Sequence, residues 1–62
     1  MPVITVELDK TPEEVKKKLI HTLTKETAEI TQKSTDHIIV YVREYPHENI
    51  GVGGKTIKEM RG

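Results

Sequence analysis

The fold is decided by residues 3–15, which read VITVELDKTPEEV and pass from a strand pattern to a helix start within one short segment. Apolar and polar side chains alternate over 3–8, which is the two-residue period of a strand with one covered face. Thr11, Pro12 and Glu14 then supply a capping threonine, a proline at the first helical position and an acid three residues after the cap. The sequence therefore predicts a strand followed by a helix that begins at Pro12.

Mostly apolar residues continue along the predicted helix at spacings of three and four, which places them on one face. They are Val15, Leu19, Ile20, Leu23, Thr27, Ala28 and Ile30. This pattern predicts a helix that ends near Lys33. After a polar break at 34–36, residues 38–42 are β-branched and aromatic, as in a strand covered on both faces. The order predicts a β-α-β unit with parallel strands and a right-handed crossover.

One helix can cover only one face of this predicted sheet. The second face carries Val3, Thr5, Ile39 and Tyr41 and has nothing in the chain to cover it. We therefore expect this face to contact another subunit.

The composition also favours an oligomer. The 62 residues are only 34% hydrophobic, and the two tyrosines are their sole aromatic side chains. A domain of this size usually needs disulfides, a metal or neighbouring subunits for stability. There is no cysteine, and His21, His37 and His47 do not have the spacing of zinc ligands. We expect one domain, residues 1–62, that holds no metal and is stabilised by copies of itself.

The charge balance disfavours a polyanionic partner. Ten Lys and Arg residues balance ten Asp and Glu residues, whereas nucleic-acid binders are usually strongly basic. A ribbon-helix-helix DNA-binding dimer fits the size but not the charge or the one long helix. No apolar run approaches the roughly 20 residues of a membrane span, and no secretory signal pattern is present. We expect a cytoplasmic protein with neither a nucleic-acid nor a membrane partner.

Three glycines lie within residues 49–54, which read NIGVGG and follow Pro46, the predicted end of the second strand. Such a cluster predicts positive φ angles or a close approach of the backbone, as in a tight hairpin. Residues 54–56 mimic the end of a phosphate-binding loop, but Asn49 stands where that loop needs its first glycine. We interpret the glycines as architectural, with one more short element over 55–61.

Pro2 is the strongest candidate for a catalytic group. Glu7 and Asp9 could form an acid-base pair, but a solvated strand face explains them more simply. If Met1 is removed, as is usual before a small residue, Pro2 becomes a secondary amine at the start of a strand. A free α-amine has a pKa of about 7.7 to 8.0, and burial or a nearby cation lowers it. Such an amine can act as a general base near neutral pH.

Taken together, these features resemble the 4-oxalocrotonate tautomerase family along nearly the whole chain. The resemblance rests on Pro2 after Met1, the immediate strand, the single amphipathic helix, the second strand, Glu44 and the glycine segment 49–54. It implies an α+β fold, in which a β-α-β protomer with a short carboxy-terminal hairpin packs its sheets across dimers into a hexamer. It also implies an isomerase without a cofactor, whose Pro2 moves a proton in a 2-hydroxy-2,4-dienoate such as 2-hydroxymuconate or a related enol acid.

Three positions differ from the best-studied members of that family. Those members carry an arginine in the loop after the first strand, an arginine in the second strand and a phenylalanine before Gly-x-Gly-Gly. The corresponding residues here are Lys10 or Thr11, then Ile39, then Ile50. Of the loop residues only Lys10 can bind a carboxylate. Arg43 lies on the same strand face as Ile39 and can supply a displaced cation.

The expected substrate-binding residues are therefore Lys10, Ile39, Arg43 and Ile50. Ile50 keeps an apolar wall near the base without the aromatic ring. Because the carboxylate-binding positions have changed, a monoacid enol of the phenylpyruvate type is as compatible as a diacid. A paralogue that keeps the fold but not the activity is the alternative from a non-enzyme class.

Overall fold

The computed structural model of the protein describes residues 2–61. Its elements are β1 (Val3–Asp9), α1 (Glu13–Thr31), β2 (Ile39–Tyr45), β3 (Gly51–Val52), β4 (Lys55–Thr56) and α2 (Ile57–Arg61). Single turns of 3-10 helix precede β2 at Thr35–His37 and follow it at His47–Asn49. The predicted β-α-β unit with a carboxy-terminal hairpin is confirmed.

The two long strands pair in parallel, from Val3 opposite Ile39 to Asp9 opposite Tyr45. Burial alternates along β1, where Ile4, Val6 and Leu8 are half-buried and the residues between them are exposed. This alternation is what a two-stranded sheet shows when one helix covers one of its faces.

β2 continues three residues beyond its apolar run and ends at Tyr45, directly before Pro46, as predicted. Arg43 pairs with Glu7 across the sheet, and one guanidinium nitrogen lies 3.9 Å from the Glu7 carboxylate. Glu44 accepts a 2.7 Å hydrogen bond from the Lys16 ammonium on α1. Both polar residues of the strand thus lie near a group of opposite charge elsewhere in the fold.

The predicted capping box at Thr11 is absent, and α1 begins at Glu13 rather than Pro12. The Thr11 hydroxyl donates to the Asp9 carbonyl over 3.0 Å, so it does not cap the helix. Pro12 is the N-cap and makes no side-chain cap bond, while its carbonyl accepts from the next turn. The helix ends at Thr31, before the left-handed Gln32 (φ 60°), slightly earlier than predicted.

The glycine segment forms the expected hairpin. Gly53 and Gly54 have φ angles of 63° and 88°, which suits the two-residue turn between antiparallel strands. Directly after it, the Thr56 and Glu59 side chains exchange hydrogen bonds with each other's backbone N–H, at 2.9 and 3.0 Å. The backbone bond from Thr56 keeps the pKa of Glu59 below its ordinary value. This is a true capping box, and it starts α2.

A single copy of the chain lacks a closed core. No residue within 2–61 is fully buried. The accessible surface is 5059 Å², whereas a compact monomer of this mass exposes about 4,100 Å². The radius of gyration is 14.9 Å, against about 11 Å for a compact chain of this length. Val3 and Tyr41, on the uncovered sheet face, are each more than half exposed. Within residues 2–61 no helix is long and apolar enough to cross a membrane.

Candidate active site

Pro2 lies at the amino end of β1 and is half-buried. Its carbonyl accepts a 3.0 Å hydrogen bond from the Ile39 N–H, which ties the residue to the start of β2. The sheet therefore fixes the main chain of Pro2. The predicted removal of Met1 concerns a residue outside the described range.

Apolar side chains surround this end of the sheet. Ile39 is half-buried and pairs with Val3, which is 56% exposed. Tyr41, two residues further along β2, is exposed on the same face as Ile39. An amine beside these side chains would lose hydration of its charged form if a neighbour covered them, and its pKa would fall.

The opposite, carboxyl end of the sheet is polar. Lys10 is exposed just after β1 and lies at a cleft of about 470 Å³. The cleft is lined by Lys10, Thr11, Pro12, Lys16, Glu44, Tyr45 and Pro46. Within it, Glu44 accepts hydrogen bonds from the Lys16 ammonium at 2.7 Å and the Thr11 N–H at 2.8 Å. These bonds, that from Lys16 foremost, hold the pKa of Glu44 below its ordinary value.

Arg43 and Ile50 also lie far from Pro2 along the chain's own sheet. The Arg43 side chain is 62% exposed and faces Glu7 across the strands, so their ion pair contributes little stability. Ile50 is half-buried, and its carbonyl accepts a 2.8 Å bond from the Ile57 N–H. Ile50 shares a second cleft with Glu7, Leu8, Asp9, Tyr45, Asn49 and Gly51.

One copy of the chain does not bring the predicted site residues together. Eight residue steps separate Pro2 from Lys10, which at about 3.3 Å per strand residue is roughly 26 Å. Arg43 lies four steps from Ile39, the partner of Pro2, or roughly 13 Å along β2. The structure places Pro2 beside Ile39, and it places Lys10, Arg43 and Ile50 towards the other end.

Two polar pairs at the carboxyl end were missed in the sequence. His47 Nε2 lies 3.2 Å from an Asp9 carboxylate oxygen. The sequence indicates Glu44 only through the family resemblance and does not indicate its partner Lys16. The Lys16–Glu44 pair and the Asp9–His47 pair join residues that are 28 and 38 positions apart along the chain. No local spacing in the sequence therefore indicates either pair. Within residues 2–61 no group of three or more potential metal-ligating side chains occurs.

Comparison with known proteins gives a consistent set of similarities. The family model described as tautomerase enzyme matches residues 2–60. The chain is similar to DmpI from Archaeoglobus fulgidus, with 37% identity, coverage of 92% of this chain and 98% of that one, and a TM-score of 0.83. It is also similar to TomN, a 4-oxalocrotonate tautomerase homologue in the tomaymycin biosynthetic pathway, with 34% identity, coverage of 97% and 94%, and a TM-score of 0.86.

A more distant structure shares the fold alone. It is a heterohexamer 4-oxalocrotonate tautomerase from Chloroflexus aurantiacus J-10-fl, with 22% identity, coverage of 98% of this chain and 100% of that one, and a TM-score of 0.88. No match was found among curated proteins.

Proposed function

Because the chain belongs to the tautomerase enzyme family, we propose that it is a keto-enol isomerase whose base is the amine of Pro2 after removal of Met1. The substrate is a 2-hydroxy-2,4-dienoate such as 2-hydroxymuconate, or a related enol acid. The observation that carries the proposal is the position of Pro2, half-buried at the start of β1 and tied to the apolar Ile39 by a main-chain hydrogen bond.

The amine has to be neutral to accept a proton. Apolar neighbours support this once another subunit covers them, because poor hydration then disfavours the ammonium form and lowers its pKa. The neutral amine takes the proton of the substrate's 2-hydroxyl group, and the C–O bond becomes a carbonyl as the electrons shift along the diene. The resulting ammonium returns the proton to carbon, which gives the α,β-unsaturated ketone and restores the base.

The cations that bind the carboxylates belong, in this proposal, to a neighbouring subunit. Lys10 is too far from Pro2 of the same copy to share a small substrate with it, by the strand distance given above, and the Arg43 guanidinium faces Glu7. The uncovered sheet face with Val3 and Tyr41 supports an assembly of several copies. A hexamer made of three dimers is the proposed form, and the heterohexamer from Chloroflexus aurantiacus gives a precedent in the same fold.

A non-catalytic paralogue is the second candidate. One observation favours it: Arg43, the nearer of the two cations, already has Glu7 as a partner. In that case Pro2 would stand at the end of the sheet without carboxylate-binding groups around it. A monoacid substrate, which needs only one cation, is the intermediate possibility within the enzyme proposal. Cytoplasmic localisation remains a prediction.

The test is a tautomerisation assay on 2-hydroxymuconate and phenylenolpyruvate with protein whose amino terminus is verified by intact mass. The matched control is the same chain with Met1 retained, which converts the Pro2 nitrogen into an amide without basicity. Turnover only by the Met-free form supports the proposal. Equal turnover by both forms would refute the amine mechanism, and no turnover by either would favour the paralogue.

A further inference from the structure

The Glu44 carboxylate joins three parts of the fold at the carboxyl end of the sheet. Glu44 belongs to β2; one of its oxygens accepts from the Lys16 ammonium on α1, and the other accepts from the Thr11 N–H in the loop between β1 and α1. Its side chain is 32% exposed and that of Lys16 is 27% exposed. Bonds in this partly shielded cleft are less open to competition from water than those of a free surface pair.

These bonds act on the main chain immediately next to Lys10. Thr11 is held through its N–H by Glu44 and through its hydroxyl by the Asp9 carbonyl. Asp9 is in turn the last residue of β1 and faces His47 through its carboxylate. The backbone on both sides of Lys10 is therefore anchored, although Lys10 itself lies in an exposed loop.

From this arrangement we propose that Glu44 is a positioning residue, which orders the loop so that Lys10 can bind the carboxylate of the substrate. The role of Lys10 rests on the proposed function. Glu44 does not touch the substrate in this proposal; it acts through the main chain at Thr11. A flexible lysine loses less conformational freedom on binding when its backbone is already fixed.

The charge of Glu44 acts in the opposite direction and has to be weighed. A carboxylate near the binding site repels the carboxylate of the substrate. Here Lys16 lies 2.7 Å from Glu44 and offsets its charge, so that Lys10, Lys16 and Glu44 together keep one net positive charge. The ordering of the loop then outweighs the repulsion, and removal of Glu44 should weaken binding.

A double-mutant cycle with Lys10 tests the proposal. Glu44→Ala should raise KM for 2-hydroxymuconate roughly fivefold, the size of one ordinary hydrogen bond, and leave kcat within about twofold. In the Lys10→Ala background the same substitution should not weaken binding further, because the ordering effect of Glu44 acts only through Lys10. Glu44→Gln keeps an oxygen that accepts from Thr11 and should recover most of the wild-type KM. Glu26→Ala, which removes an exposed carboxylate of α1, is the matched control.

Binding of cis,cis-muconate, an unreactive diacid, gives a readout that does not depend on turnover. Its Kd should change across these variants in the same direction as the KM for 2-hydroxymuconate. In addition, Glu44→Ala should speed amide hydrogen exchange at Thr11. An unchanged or tighter Kd in Glu44→Ala would overturn the proposal. Equal effects of Glu44→Ala on Kd in the presence and in the absence of Lys10 would also overturn it. A Lys10→Ala variant that binds muconate as tightly as the wild type does would overturn it too. Failure of the amine mechanism is seen separately, as turnover by protein that retains Met1.

Discussion

The two ends of the β1–β2 sheet differ in the way their residues are held. At the amino end, Pro2 is tied by one main-chain bond, and its neighbours Val3 and Ile39 are apolar. At the carboxyl end, side-chain hydrogen bonds join Asp9, Thr11, Lys16, Glu44 and His47. An amine base needs poor hydration, while a group that binds anions needs a fixed and charged environment. One small sheet thus has an apolar end, which a neighbouring copy would have to cover, and a polar end whose side chains are fixed by hydrogen bonds.

Assembly is expected to have the largest effect, because it alone can bring the two ends together. Tyr41→Lys places a charge on the uncovered sheet face, where the tyrosine is 54% exposed in the single copy. Burial of an unpaired charge opposes association, so the variant should lose the hexamer, its folded state and all activity. Sedimentation at micromolar concentration measures this, with the solvent-facing Lys25→Glu as a control. A folded monomer of the wild type would contradict the prediction.

The next largest effect is expected at Pro2. Met1 retention should abolish turnover, because it removes the basic amine. Pro2→Ala leaves a primary amine in a similar place and should lower kcat about 10²-fold, within the range of general-base catalysis. The hexamer should persist in both variants, as judged by sedimentation. A Pro2→Ala variant with wild-type kcat would mean that the amine at the amino end is not the base.

The polar end is tested by removing its cations. Lys10→Ala and Arg43→Ala should each raise KM for enol acids by roughly 10- to 100-fold, since a charge-assisted hydrogen bond contributes about 1.5 to 3 kcal/mol. Steady-state kinetics on a diacid and a monoacid shows whether both cations or only one is used. If neither variant differs from wild type, the carboxylate is bound elsewhere, and Arg61 of a neighbouring subunit is the next candidate.

The pH dependence of activity tests the amine at the amino end separately from the cations at the carboxyl end. Activity of Met-free protein should rise with pH through one apparent pKa at or below the reference of about 7.7 to 8.0, because only the neutral amine accepts a proton. Below that pKa, kcat/KM should fall about tenfold per pH unit. A pH profile of Pro2→Ala gives the comparison. A flat profile between pH 5 and pH 9 would exclude the amine.

The smallest effect concerns acid stability and the two glutamates with lowered pKa. The folded-state pKa values of Glu44 and Glu59 lie below the ordinary 4.5, so below that pH the unfolded chain binds more protons than the folded one. Their contribution to stability is therefore present above about pH 4.5 and is lost as the pH falls through the lowered values. Glu59→Gln should melt earlier than wild type at pH 7, and this difference in melting temperature should shrink as the pH falls below 4.5. A difference that stays constant as the pH falls would contradict this explanation.

The sequence predicted those features that depend on local spacing. The alternation of apolar and polar residues predicted β1, apolar residues at spacings of three and four predicted α1, and the adjacent Gly53 and Gly54 predicted the hairpin. The end of β2 before Pro46 was also predicted. The partners of Arg43 and Glu44 were not, because they lie on distant elements, which local polarity cannot reveal. The capping box was assigned to Thr11, whereas Thr56 and Glu59 carry the same signature and form it. Thr11 instead uses its hydroxyl on Asp9 and its N–H on Glu44.

The candidate site was predictable only in part, for a related reason. The adjacency of Pro2 and Ile39 could be predicted, because each lies at the start of a strand and parallel pairing brings strand starts together. In the proposed assembly, the relation of Pro2 to Lys10, Arg43 and Ile50 depends on contacts between copies of the chain. Periodicity within one chain carries no information about which end of a neighbour lies nearby.

The parallel pairing of Val3 with Ile39 also has a consequence during synthesis on the ribosome. Every pair in this ladder is offset by 36 residues, as from 3 to 39, so β1 is synthesised before its partner strand exists. At about 5 to 20 residues per second, the chain needs roughly 2 to 7 seconds to make that stretch. During this interval the Pro2 carbonyl has no Ile39 N–H to accept from. The amino end of the sheet therefore cannot close before translation reaches Ile39, and until then the proposed removal of Met1 does not compete with sheet formation.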